Sequence, residues 1–254
     1  TTALRGNVNV VVSIETLHGP VHSGMYGGAA PDALAALIHV LATLRDSAGN
    51  TTVDGLPGGQ SWSGLSYPNA RFRADAGVLD GVAVTGDGTV ADMLWARPAL
   101  TVLGIDCPPV VGSANAIQSH ASARLNLRVP PGTDPDLALA ALTKHLEAAV
   151  PWQARITVQS EGVGAPFCGS LEGPAYAAMA DALRVSYGHD VVTQGTGGSI
   201  PLCNVLQETF PRAEIMLLGV EEPRCLIHAP NESVSPSEIE HMALAEALFL
   251  AAYR

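Results

Sequence analysis

Hydrophobic and polar residues alternate across positions 7–16, with Val8, Val10, Val12 and Ile14 on one side. This pattern predicts a strand with one buried face. A glycine-rich stretch, GPVHSGMYGGAAP, follows at 19–31. Pro31 then opens a predicted helix whose apolar stripe is Leu34, Leu37, Ile38, Leu41 and Leu44. Residues 47–98 are rich in Gly, Ser, Asp and Thr with weak periodicity, and read as an insertion holding a short strand pair. Residues 99–104 read as a buried strand. Residues 119–129 alternate cleanly, with Ala121, Ala123, Leu125, Leu127 and Val129 facing in and Ser122, Arg124, Asn126 and Arg128 facing out. Pro135 starts a second helix carrying Leu139, Leu142 and Leu146, and Ile156 and Val158 mark a further strand. Without the insertion the order is β-α-β-β-α-β, a ferredoxin-like unit predicted to close near residue 163.

The rhythm then changes. Tyr176, Met179, Ala180, Leu183 and Tyr187 outline a helix, and 190–194 read as a short strand. The turn GTGGSIP (Gly195 to Pro201) leads into a short helix and the apolar run EIMLLGV at 214–220, read as a strand. Ser235, Pro236 and Glu238 predict a capped final helix with a capping box. This αβαβα segment fits an open parallel sheet, but two strands are too few to stand alone. The fold class is therefore α/β: a ferredoxin-like unit over 1–163, then an incomplete α/β segment over 164–254.

Charge narrows the partners. The formal net charge is −11, with no Lys/Arg cluster, which argues against nucleic acid and anionic membrane. No apolar run reaches bilayer-spanning length. Cys107, Cys168, Cys203 and Cys225 lie far apart without a C-x-x-C pair, as expected of reduced thiols in a cytoplasmic protein.

Several residues carry candidate chemistry, each with a plainer reading. His228, in CLIHAPNES, follows the run at 214–220, where open α/β sheets gather ligands, and its imidazole suits a metal; a loop histidine taken alone is more often a surface residue. Gly198 and Ser199 sit in a turn able to offer backbone N–H groups to a carboxylate or carbonyl, or serve only as a glycine turn. Arg128 on a polar strand face can grip a carboxylate bidentately, or simply be solvated. Asn115 reads as a turn residue, and His22 in its glycine loop is either a turn residue or a group aimed at something. Glu221-Glu222 is discounted as a general base because it falls in an acidic turn. No H-E-x-x-H, G-x-S-x-G, Walker loop or dinucleotide fingerprint is present.

Four stretches occur together in order: LRGNVNVVVSIETLHGPVHSGMYGGAAP, NAIQSHASARLNLRVPPGTDP, GTGGSIP and IHAPNES. In this arrangement the chain resembles the carnosinase-like branch of the two-zinc metallopeptidases, which also includes succinyl-diaminopimelate desuccinylase and aminoacylase. The resemblance implies a lid that makes a homodimer, here 1–163, and the C-terminal part of a catalytic domain, here 164–254. It implies hydrolysis of a peptide or amide bond in a dipeptide or N-acyl amino acid, with two Zn (or Mn or Co) ions in the intact enzyme. It assigns His228 as a metal ligand and His22 as a lid histidine that stabilises the oxyanion in the partner's site. Asn115, Arg128, Gly198 and Ser199 become substrate-binding positions. Thr196 stands where the carnosinase type has an acidic residue. The family's H-x-D pair, bridging aspartate and catalytic Glu-Glu pair are not in this sequence, which implies a fragment that is inactive alone and holds no tight metal. The alternative is a non-catalytic dimerisation or binding module derived from such a peptidase.

Overall fold

The structure, a computed structural model, describes residues 1–221, 225–227 and 229–253. The strands are β1 (Ala3–Leu4), β2 (Gly6–Glu15), β3 (Val21–His22), β4 (Ala99–Asp106), β5 (Ala116–Ile117), β6 (His120–Val129), β7 (Arg155–Gly164), β8 (Phe167–Cys168) and β9 (Gly195–Thr196). The α-helices are α1 (Ser23–Tyr26), α2 (Ala33–Ala42), α3 (Asn69–Asp75), α4 (Pro135–Ala149), α5 (Pro174–Tyr187), α6 (Pro201–Thr209) and α7 (Pro236–Ala252).

Four strands form one antiparallel sheet in the order β4-β6-β2-β7. Together with α2 and α4 this is the ferredoxin-like arrangement that the alternation predicts. The registers explain the core. Val8 faces Leu127, Val10 faces Leu125, Val12 faces Ala123 and Ile14 faces Ala121, and all eight side chains are buried. Ala33, Ala36, Leu37 and Val40 of α2 and Ala138, Leu142 and Leu146 of α4 close that face. Each large aliphatic side chain buried there contributes roughly 1.5–3 kcal/mol. Both helices are capped by aspartate: Asp32 Oδ1 accepts from Leu34 N at 2.8 Å and Asp134 Oδ1 from Asp136 N at 2.8 Å. The opposite face is polar. There Asn126 donates from Nδ2 to Asn9 Oδ1 at 2.7 Å and also to Asn7 Oδ1.

Five local expectations change. Ile38 is 56% exposed, because α2 turns the small Ala33 and Ala36 to the sheet, where a helix packs closely. β4 exists but is exposed beyond Leu100, since it is the sheet's edge. The insertion forms α3, a π turn at Asp92–Ala96 and an isolated Arg45–Thr51 bridge, without the strand pair. Residues 190–194 form no strand; the ladder begins at Gly195. Residues 214–220 form none either. Glu214 instead caps α5, accepting from Ala175 N at 3.0 Å and Tyr176 N at 2.7 Å.

After β7 the chain builds a smaller sheet, β8-β1-β9, in which β1 runs antiparallel to β8 and parallel to β9. Leu4, Phe167 and Cys203 are buried together beneath it. α5 packs on α7, where Tyr187 Oη donates to Glu238 Oε2 at 3.1 Å. That bond occupies the glutamate of the expected capping box, and Ser235 makes no side-chain cap bond to α7.

The insertion fastens the two regions together. Asp92 organises it by accepting from Trp62 N at 2.6 Å and Thr89 N at 2.9 Å. Burial pushes the Asp92 carboxyl up, but these bonds and Arg97 outweigh it and hold the carboxyl below its usual value. Trp95 stacks on Tyr67, meets Trp62 edge-on and lies against Gly195, where any side chain would collide with it. Leu65 N bonds Thr193 O at 2.8 Å beside it.

Candidate active site

The first group of candidate residues gathers where the two regions meet. Arg128 stands on the polar face of β6, paired in register with Asn7 of β2. The segment just before β2 leads into the small sheet, where Arg5 N bonds Thr196 O at 3.2 Å. This fixes the turn after β9 beside the Gly6 end of the large sheet. Ser199, in that turn, lies against the end of β7: a Cβ at Gly164 would be 3.2 Å from Ser199 Oγ. Gly198 is exposed and Ser199 half-buried at the start of α6. Arg128, Gly198 and Ser199 thus occupy one end of the ferredoxin-like sheet.

The sequence reading missed a residue here. Arg5 packs directly over Gly197, where a Cβ would sit 2.9 Å from its Nη2. Burial lowers the Arg5 pKa to about 10, helped by the like charge of Arg128. Neither arginine forms an ion pair among the described residues. Nothing in the local pattern singles out Arg5, because one arginine before a strand carries no spacing signal.

The second group lies at the other end. β3 pairs with β5, setting His22 opposite Ala116, and Ser23 donates from both N and Oγ to Asn115 O at 2.9 Å. His22 is exposed and caps the short α1, its Nδ1 accepting from Gly24 N at 3.1 Å. With Nδ1 used as an acceptor, the neutral ring carries its proton on Nε2. That leaves an N–H donor on an exposed imidazole. Asn115 is exposed beside it.

The two groups do not meet within one chain. β5 leads into the end of β6 where His120 faces Glu15, whereas Arg128 faces Asn7 at the other end. Eight strand steps separate those registers, on the order of 25 Å. Asn115 therefore belongs with His22 and not with Arg128.

His228 lies outside the described residues, as does Glu222. Glu221 is exposed, and Thr196 is exposed beside the turn. Among the described residues no three His, Cys, Asp or Glu side chains converge to hold a metal ion. These residues alone do not fit a two-metal centre. No described helix is long and apolar enough to cross a membrane.

Comparison with known proteins gives these positions a context. Residues 2–154 match the family described as "Peptidase dimerisation domain". The cysteinylglycine-S-conjugate dipeptidase of Corynebacterium striatum is 44% identical over 256 residues, covering 100% of this chain and 56% of that protein. The solved structure of the di-peptidase Dug1p from Saccharomyces cerevisiae matches with a TM-score of 0.81 at 20% identity, covering 100% of this chain and 56% of that one. Human carnosine dipeptidase 1 matches with a TM-score of 0.78 at 22% identity, covering 98% of this chain and 55% of that one. These two structures share the fold. The chain spans about half the length of the curated relatives it matches. With a dimerisation domain matched over more than half its length, the chain belongs to the M20 peptidase family.

Proposed function

We propose that residues 1–163 are the lid and 164–254 the C-terminal catalytic part of a longer hydrolase that acts as a homodimer. Its reaction is cleavage of the peptide or amide bond of a dipeptide or N-acyl amino acid. One observation carries this reading: His22 and Asn115 stand at one end of the sheet, and Arg128, Gly198 and Ser199 at the other. A dimer reconciles them, because each chain can present its histidine end to the partner's arginine end. The dipeptidase identity of the Corynebacterium relative supports the substrate class. The exposed edge of β4, with Val102, Leu103 and Ile105, supplies an apolar strip for a partner.

In this reading Arg128 grips the substrate's carboxylate and registers the scissile bond. The Gly198–Ser199 turn supports the substrate alongside. His22 of the opposite chain donates its Nε2–H to the oxygen on which negative charge develops. M20 metallopeptidases use divalent metals. Zinc, manganese or cobalt would supply the Lewis acidity for the hydrolysis, and His228 would be the ligand this chain contributes. The remaining ligands come from the rest of the protein. The free thiols of Cys107, Cys168 and Cys203 support a reducing, cytoplasmic setting.

Subunit mixing tests the reading. The complete coding sequence is expressed with His22→Ala in one pool and Arg128→Ala in the other. Each pool alone loses about 100-fold or more in kcat/KM on Cys-Gly. A purified mixed dimer has one site with both groups intact and recovers about half the wild-type activity. A mixed dimer as inactive as its parents overturns the shared site. Lack of hydrolysis by the wild-type complete protein, with dimerisation retained, points to the non-catalytic module.

A further inference from the structure

Arg5 is the group that the proposed mechanism leaves unused. Its Nε and Nη1 are sealed from solvent and have no hydrogen-bond partner among the described residues. No ion pair among the described residues compensates it, and a second cation, Arg128, stands close enough to be felt. Its Nη2 is the guanidinium nitrogen outside the sealed, unpaired set, and it lies over Gly197. Burying a guanidinium without a counter-charge is unfavourable, and a neighbouring like charge adds to that cost. The chain as a whole carries a net charge of −11, so a carboxylate-free pair of arginines runs against its composition.

We propose that Arg5 is a second anchor for the substrate's terminal carboxylate, contacting it through Nη2 at the Gly197 turn while Arg128 holds it from β6. The proposal rests on the dipeptidase reading above. Three features converge on it. The turn residue facing Arg5 is glycine, and any Cβ there would push the guanidinium away. Arg5 and Arg128 are fixed relative to each other by the Gly6–Val129 and Asn7–Arg128 pairs. An anion between them compensates both charges with one group.

The test uses the complete protein with Arg5→Met and Arg5→Lys, and two substrates, Cys-Gly and its C-terminal amide. A carboxylate anchor predicts that Arg5→Met raises KM for Cys-Gly about 10- to 100-fold. Cleavage of the amide, which has no carboxylate, stays within about twofold. Arg5→Lys falls between, since it keeps the charge without the planar fork. Equal losses on the acid and the amide overturn the proposal and make Arg5 the partner of a carboxylate elsewhere in the longer protein. If the wild-type protein hydrolyses neither compound, the dipeptidase reading fails. The anchor is then decided by binding of N-acetylglycine to the 254-residue chain, followed through the arginine Nε–H resonances. Saturable binding that is weakened in Arg5→Lys and lost in Arg5→Met supports it, and binding that is absent from the wild type or unchanged in Arg5→Met overturns it.

Discussion

Gly24 keeps room for the imidazole of His22. A Cβ at this position would lie 2.9 Å from His22 Cε1 and 3.2 Å from Nδ1, and the ring would have to swing away. The backbone at Gly24 is not in the left-handed region, so the glycine answers a contact and not a torsion. Gly24→Ala should therefore act on the histidine and leave the fold intact. In the complete protein we expect kcat to fall about tenfold or more, with KM and Tm nearly unchanged, since misplacing a reacting group is costly even at small distances. A matching fall in Tm would assign Gly24 to the stability of the loop instead. Gly197 repeats the theme around Arg5. Both glycines were visible in the sequence as turn residues, but the side chains they accommodate were not. His22 stood out because its loop was unusual. Arg5 did not, because its significance lies in three segments that meet only in the folded chain.

The caps of α4 and α7 differ although both helices follow a residue suited to capping. Asp134 precedes α4 and bonds the amides of Asp136 and Leu137. Ser235 precedes α7 in an equally strong sequence context, yet its hydroxyl pairs with Ser237 Oγ at 2.8 Å. Asp134→Ala should cost about 1 kcal/mol of stability in denaturant unfolding of the 254-residue chain, and Ser235→Ala only a few tenths. Equal losses would restore the capping box. The large sheet was legible because alternation with period two survives wherever one face is buried and the other is polar, as in β2 and β6. The run at 214–220 was apolar enough for a strand, but hydrophobicity does not name a ladder partner. Its Glu214 is committed to α5 and its Leu217 carbonyl accepts from Thr1 N at 3.0 Å. The insertion was illegible for another reason. Its order comes from aromatic contacts and from scattered carboxylates, Asp75, Asp87 and above all Asp92, which leave no periodic trace.

At the scale of the molecule, the ferredoxin-like unit supplies a rigid span and the insertion bolts the turn after β9 to it. Trp95 on Gly195 and Leu65 on Thr193 hold that turn from one side, while Arg5 and Gly164 hold it from the other. The separation of the candidate residues by most of the length of β2 then has a kinetic meaning. No amount of flexing within one folded chain closes a gap on the order of 25 Å between opposite ends of a hydrogen-bonded sheet. For the proposed shared site, assembly becomes a reactant. Specific activity of the complete protein should fall on serial dilution along the same curve as the dimer fraction measured by sedimentation or mass photometry, and crosslinked dimers should escape the fall. Activity that stays constant as monomers accumulate would require both ends of the strand to serve separate sites. With a site shared between subunits as proposed, a cell making the complete protein at low copy number would hold it as silent halves, so that doubling its synthesis would more than double the hydrolysis.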